Sequence, residues 1–241
     1  MSWQTNNYGG GMNQQGRMAY APVSTDISTK SALIAKVYGL MGLSMLASLP
    51  GIAVGWNNIE LFAGWNWWLF LIGWWGVIAG AYALARTPGI NVLMLLVAGF
   101  ATGFMISVEL AFYAATQGVG ILYQAFLMAA GVFGGLSAYA VISKRNFNFL
   151  YGFISAGMVA IGVLWLVIIV SPLLGFAVPS FAFLIWCWLG LMIMCAYLLF
   201  QTSRLIRDGI EEDAVFFALS LYMTFVNIFL FILRILGSSR D

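Results

Sequence analysis

Apolar residues along this 241-residue chain run in seven long blocks. The blocks cover 37–56, 67–85, 92–115, 121–143, 151–171, 181–200 and 215–237. Each is close to the roughly 20 residues that a helix needs to cross a bilayer. The breaks between them carry turn signals: Asn57-Asn58, Pro88-Gly89, Gln117-Gly118, Lys144-Arg145-Asn146, Pro172 and Pro179, and Asp208-Gly209. Pro50 falls inside the first block, where it is expected to kink the helix or mark its outer end. Ahead of the blocks lies a segment rich in Asn, Gln, Gly and Ser, with Trp3, Tyr8 and Tyr20 scattered through it. It lacks the basic start and apolar core of a signal peptide, and its one arginine, Arg17, is too few for a transit peptide. The pattern predicts an all-α integral membrane protein, with a polar, flexible cytoplasmic tail over 1–29 and a seven-helix transmembrane domain over 30–241.

Composition agrees: 63% of residues are hydrophobic and 7% charged, too few charges to keep a soluble domain of this size in solution. The placement of the basic residues adds an orientation. With the N-terminus inside, Arg17, Lys30, Lys36, Arg86, Lys144, Arg145, Arg204 and Arg207 fall on the cytoplasmic side, and Arg234 and Arg240 at the other face. The odd helix count then puts the C-terminus outside, unless the last block re-enters and returns it. In this frame Trp56, Trp65, Trp67, Trp68, Trp74, Trp75, Trp165, Trp186 and Trp188 all project to the outer half. They form either an interfacial aromatic belt or a lateral docking surface for another integral membrane protein. The pairs Gly51/Gly55, Gly99/Gly103 and Gly131/Gly135 are each four apart, a spacing that lets helices approach closely in lipid.

Two charges, Glu109 and Arg234, sit well inside the apolar blocks. A charge at membrane depth costs several kcal/mol unless it is paired or wetted, so it marks a functional or architectural site. In the seventh block Ser220, Thr224, Asn227 and Arg234 fall within an arc of about 80° at helical periodicity, a polar stripe expected to face the bundle interior or a wet path. In the third, Thr102, Glu109 and Tyr113 share a face. Glu109 lies about 26 Å along its helix, close to the height of Arg234 on the seventh. The two are therefore expected either to pair or to reach the interface separately, Arg234 by snorkelling. Glu211, Glu212 and Asp213 precede the seventh block, where acids complement the helix dipole and cap free N–H groups; a cytoplasmic cation site is the other reading.

Several chemistries are disfavoured. The chain has no His, a usual ligand for haem, copper and catalytic zinc, so neither a metal nor a cofactor is expected. Cys187 and Cys195 stand eight residues apart, about 12 Å on a helix and too far for a disulfide, and they read as packing residues. No basic run suits nucleic acid. The seventh block has no Lys for a retinal Schiff base, and no pair of acids in the membrane suits an intramembrane protease.

Ser220-Leu-Tyr-Met-Thr-Phe-Val-Asn-Ile-Phe229, followed by Leu233-Arg234-Ile235-Leu236-Gly237, resembles the C-terminal signature of the Bax-inhibitor (transmembrane Bax inhibitor motif) family. Val37-Tyr38-Gly39-Leu40-Met41 resembles the start of that family's first helix. Gly131-Val-Phe-Gly-Gly-Leu-Ser-Ala-Tyr139, with Ser143-Lys144-Arg145, resembles its fourth helix and the basic turn after it. The resemblance covers about residues 30–237 and implies a seven-helix protein of the kind described as a cation (calcium or proton) leak, a suppressor of cell death or, in bacteria, a partner of a membrane protease. It further implies a gating pair of aspartates, one late in helix six and one in helix seven. The positions that match are Gln201, in Phe200-Gln-Thr-Ser-Arg-Leu205, and Thr224. Both are neutral and neither titrates near neutral pH, although they could bond to each other.

The expected function is thus a non-enzymatic accessory or regulatory partner of other membrane proteins, in contact with lipid and docking through its Trp-rich outer half. The alternative is a cation leak in which Glu109 replaces the aspartate pair. The expected location is the bacterial inner (cytoplasmic) membrane.

Overall fold

A computed structural model of the chain describes residues 24–64, 66–143, 145–175 and 180–238. The tail over 1–23, with Trp3, Tyr8, Arg17 and Tyr20, and also Trp65, Lys144, Pro179 and Arg240, lie outside the described residues. Seven α-helices follow in order: α1 Ser24–Asn57, α2 Asn66–Ala83, α3 Asn91–Gln117, α4 Gly120–Ser143, α5 Leu150–Val170, α6 Ser180–Asp208 and α7 Ala214–Ser238. Each apolar block maps onto one helix. Six of the seven are long and apolar enough to cross a membrane. The exception is α2, whose 18 residues include four tryptophans and Asn66.

Three boundaries differ from the block pattern. Helix α1 starts at Ser24, inside the segment assigned to the flexible tail. Ser24, Thr25 and Asp26 are residue types that open helices. Helix α1 also runs through Pro50 to Asn57, so Pro50 does not end it. Helix α6 continues two turns past Phe200, carrying Gln201, Arg204 and Arg207 beyond the purely apolar stretch.

Helix α7 is the centre of the bundle. Of an 18-residue apolar stretch of α7, 83% is buried inside the protein, against 6% for the corresponding stretch of α5. It packs against α1, α4 and α6, with α3 touching it more lightly; α2 leans on α3, and α5 on α6. A membrane helix that carries a polar stripe belongs in such a position, where other helices rather than lipid meet its polar groups. Tyr222 is fully enclosed there, its hydroxyl donating to the Gly99 carbonyl at 3.3 Å.

The tightest pair is α1 with α3. A Cβ on Gly103 would collide with the Ser48 backbone, and one on Gly51 with the Phe100 carbonyl, so only glycine permits this approach. Gly131 and Gly135 behave differently. Among the described residues no atom of another helix lies within 4 Å of where their Cβ would stand, so the third glycine pair joins no helices there. Spacing alone does not say whether a neighbour is present to fill the notch.

At the end of the bundle where α7 begins, ion pairs hold the loops. Lys36 Nζ donates to Glu211 Oε1 and Arg86 Nε to Asp213 Oδ1, each at 2.7 Å. The 3₁₀ turn Glu211–Asp213 is entered from Ile210, whose side chain makes no cap bond. Two of the three acids before α7 therefore tie α1 and the α2–α3 connection to the base of α7, a role that neither sequence reading contained. Arg207 Nη2 donates to Asn148 Oδ1 at 2.9 Å, and Ser203 Oγ to the Arg145 carbonyl at 3.1 Å, fastening α6 to the α4–α5 connection.

Candidate functional site

The polar stripe of α7 divides into two clusters. Near the start of the helix, Ser220 and Thr224 face Gln201 of α6. Gln201 Nε2 donates to Ser220 Oγ at 2.7 Å. The Thr224 hydroxyl lies 3.2 Å from Gln201 Oε1 and 2.9 Å from the Ser220 carbonyl. All three residues are buried. The two-turn extension of α6 is what carries Gln201 to this height. The cluster bonds α6 to α7 through neutral groups, and no carboxylate takes part.

Toward the other end, Arg234 meets Glu109 of α3. Arg234 Nε donates to Glu109 Oε1 and Nη2 to Oε2, both at 2.7 Å. This is a two-pronged guanidinium–carboxylate contact, the strongest geometry that such a pair adopts. The arginine is 19% exposed and the glutamate 25%. The structure thus shows the paired arrangement and not the separate snorkelling of two charges. The rings of Trp186 and Phe231 lie beside the guanidinium at 5.2 and 5.6 Å, within cation–π range. Gln117 Nε2 donates to the Gly237 carbonyl at 2.8 Å, and Tyr113 covers Gly237 so closely that a Cβ there would strike its ring. Helices α3 and α7 are therefore locked together at this end.

Beside the pair is a cavity of about 530 Å³ between α2, α3, α7 and the first turn of α6. Its polar groups are Glu109, Arg234, Asn227, Tyr113 and Thr102. Thr102 Oγ1 accepts from Trp74 Nε1 at 3.0 Å and lies 3.9 Å from Met223 Sδ. Asn227 Nδ2 donates to the Met223 carbonyl at 2.8 Å within its own helix. Of the stripe, Asn227 and Arg234 face this cavity, while Ser220 and Thr224 do not line it.

The tryptophans divide as well. Trp56, Trp68, Trp75, Trp165 and Trp188 are exposed on the bundle surface. Trp74 turns into the cavity, and Trp186 is buried against Arg234 with its Nε1 donating to the Ile161 carbonyl at 3.2 Å. Trp186 is thus an internal residue and Trp74 a half-buried one facing the cavity. The depth of Trp74 along its helix was the one sequence signal of this; nothing local marks Trp186. Cys187 is buried and Cys195 half-buried, and both are free thiols.

Residues 30–241 match the family described as inhibitor of apoptosis-promoting Bax1. The chain is 30% identical over 178 residues to Bax inhibitor 1 of Schizosaccharomyces pombe, an alignment covering 73% of this chain and 61% of that protein. It is 26% identical to protein lifeguard 4 of Mus musculus, covering 88% and 87%. It is 35% identical to an uncharacterized membrane protein of Vibrio cholerae over 52% and 54%. The chain thus spans less than two thirds of the yeast relative's length and most of the mouse relative's.

Proposed function

The chain belongs to the Bax inhibitor family of membrane proteins, and from that premise we propose that it acts as a non-enzymatic accessory or regulatory partner of other integral membrane proteins. The observation that carries this reading is the neutral Gln201–Ser220–Thr224 cluster. At the two positions where the family resemblance implies a proton-sharing pair, this chain places an amide and a hydroxyl. Neither changes charge near neutral pH, so an acid-operated gate has no group to work with at these two positions. The exposed Trp56 of α1, Trp68 and Trp75 of α2, Trp165 of α5 and Trp188 of α6 supply lateral surfaces for membrane partners. The lack of His and the burial of Cys187 support a role without catalysis. We place the protein in a bacterial inner membrane, where the excess of basic residues sets the N-terminus in the cytoplasm and the C-terminus outside. Labelling of single cysteines from outside should then reach a probe beside Ser238 and miss one beside Arg145. Labelling of both from the cytoplasmic side alone would refute this topology.

A leak that uses Glu109 is the second reading, favoured by the cavity onto which that carboxylate opens. Reconstitution into liposomes separates the two. The accessory reading expects no calcium flux with a step between about pH 6 and 8, the window of a coupled carboxylate pair. A pH-dependent flux that Glu109→Gln abolishes would replace it with the leak.

A further inference from the structure

We propose that the cavity between α2, α3 and α7 is a binding site for a single uncharged amphiphile taken from the bilayer, its carbonyl- or hydroxyl-bearing head at the Glu109–Arg234 pair and its chain along Leu71, Ile106 and Leu230.

Size comes first. At about 530 Å³ the cavity falls inside the range of about 300–1,000 Å³ typical of small-ligand sites. It follows α7 from Met223 to Arg234, eleven residues or about 16 Å by the helical rise.

Polarity is graded along that length. Arg234, Glu109 and Tyr113 crowd one end, near the last turn of α7, where a membrane helix approaches the interface. Below them the wall is mainly hydrocarbon and aromatic, broken by Asn227 and by Thr102, which Trp74 already engages. A lipid-like molecule has the same gradient, with its head at the interface and its chain in the core.

Charge decides the class. Among the described residues of the wall, Glu109 and Arg234 are the only charged side chains, and they neutralise each other through two bonds. A fatty-acid carboxylate or a cationic head would have to leave water for a site of zero net charge, or break the pair to find a counter-ion. Either course leaves a half-buried charge without a counter-ion. An uncharged head avoids both. The guanidinium spends two of its five N–H donors on Glu109, leaving its Nη1 edge for a carbonyl or hydroxyl oxygen. The Asn227 amide adds an acceptor, since only its nitrogen is used by Met223.

The test uses the full-length protein in phosphatidylcholine nanodiscs that carry a monoacylglycerol with a photoactivatable diazirine in its chain. Cross-linked peptides are read by mass spectrometry. Labelling should concentrate on α3 and α7 beside the cavity and saturate. Unlabelled monoolein should compete at least about ten-fold better than oleate, the ratio that corresponds to 1.4 kcal/mol. Glu109→Gln leaves Arg234 uncompensated and should reverse that preference toward oleate. The double variant Glu109→Gln/Arg234→Gln restores neutrality and should restore the preference for monoolein. Labelling that fails to saturate, or spreads equally over α5, would overturn the proposal, as would equal competition by oleate and monoolein in the wild type. That last comparison needs no variant to fold.

Discussion

The two polar clusters of α7 lie on one helix, about three turns apart, and solve different problems. Ser220 and Thr224 are enclosed and bonded to a neutral amide, Gln201. Arg234 is bonded to a carboxylate, keeps partial exposure and opens onto a cavity. A neutral cluster costs little to bury once its hydrogen bonds are made. A charged pair is tolerated only where geometry is good and water or a polar molecule is near. The first cluster therefore behaves as fixed structure. The second holds the groups able to respond to a ligand or to a change of partner.

This contrast is most sharply broken by removing one charge. Glu109→Gln or Arg234→Gln alone should lower stability in detergent by about 3 kcal/mol, the low end for stranding one member of a buried pair. The double variant should lose less than the two single effects summed, with a coupling of about 1–3 kcal/mol in a double-mutant cycle on thermal unfolding. Additive losses would mean that the pair contributes nothing as a pair. Thr224→Asp tests the neutral cluster from the other direction, by placing an ionisable group where the chain has none. That variant should lose stability as the pH rises from about 5 to about 8, by about 1–3 kcal/mol, because an ionised carboxylate there has no counter-ion. The wild type, scanned alongside, should show no such step arising from this cluster. The smallest effect should come from Gln201→Leu. It removes one amide from a neutral network and should cost about 1 kcal/mol, since Thr224 keeps its bond to the Ser220 carbonyl. A loss as large as that of Glu109→Gln would erase the distinction between the two clusters.

Much of the architecture was legible in the sequence. Apolar blocks mark all seven helices, and six of these are long and apolar enough to span a bilayer, where a segment must satisfy its own backbone because lipid offers no partner. The height of Glu109 and Arg234 also follows from residue counting, since the rise per residue in a helix is fixed. The stripe on α7 was legible only as a stripe. Its division into two clusters depends on α6, whose polar last two turns reach Gln201 while its apolar start brings Trp186 onto Arg234.

The sequence by itself determined that this is a helical membrane protein, that Glu109 and Arg234 stand inside its apolar blocks, and that Gln201 and Thr224 are neutral. Each of these is a property of one segment or one position, and residue type and periodicity suffice for it. Only the tertiary structure decided that Glu109 and Arg234 form a two-pronged pair, that Trp74 and Trp186 turn inward, and that Glu211 and Asp213 hold basic partners on other elements. It also decided that Gly103 is pressed against α1 while Gly131 meets nothing. These outcomes depend on which helices become neighbours and at what rotation. That is set by packing summed over the whole bundle, and no single helix carries it in its own pattern.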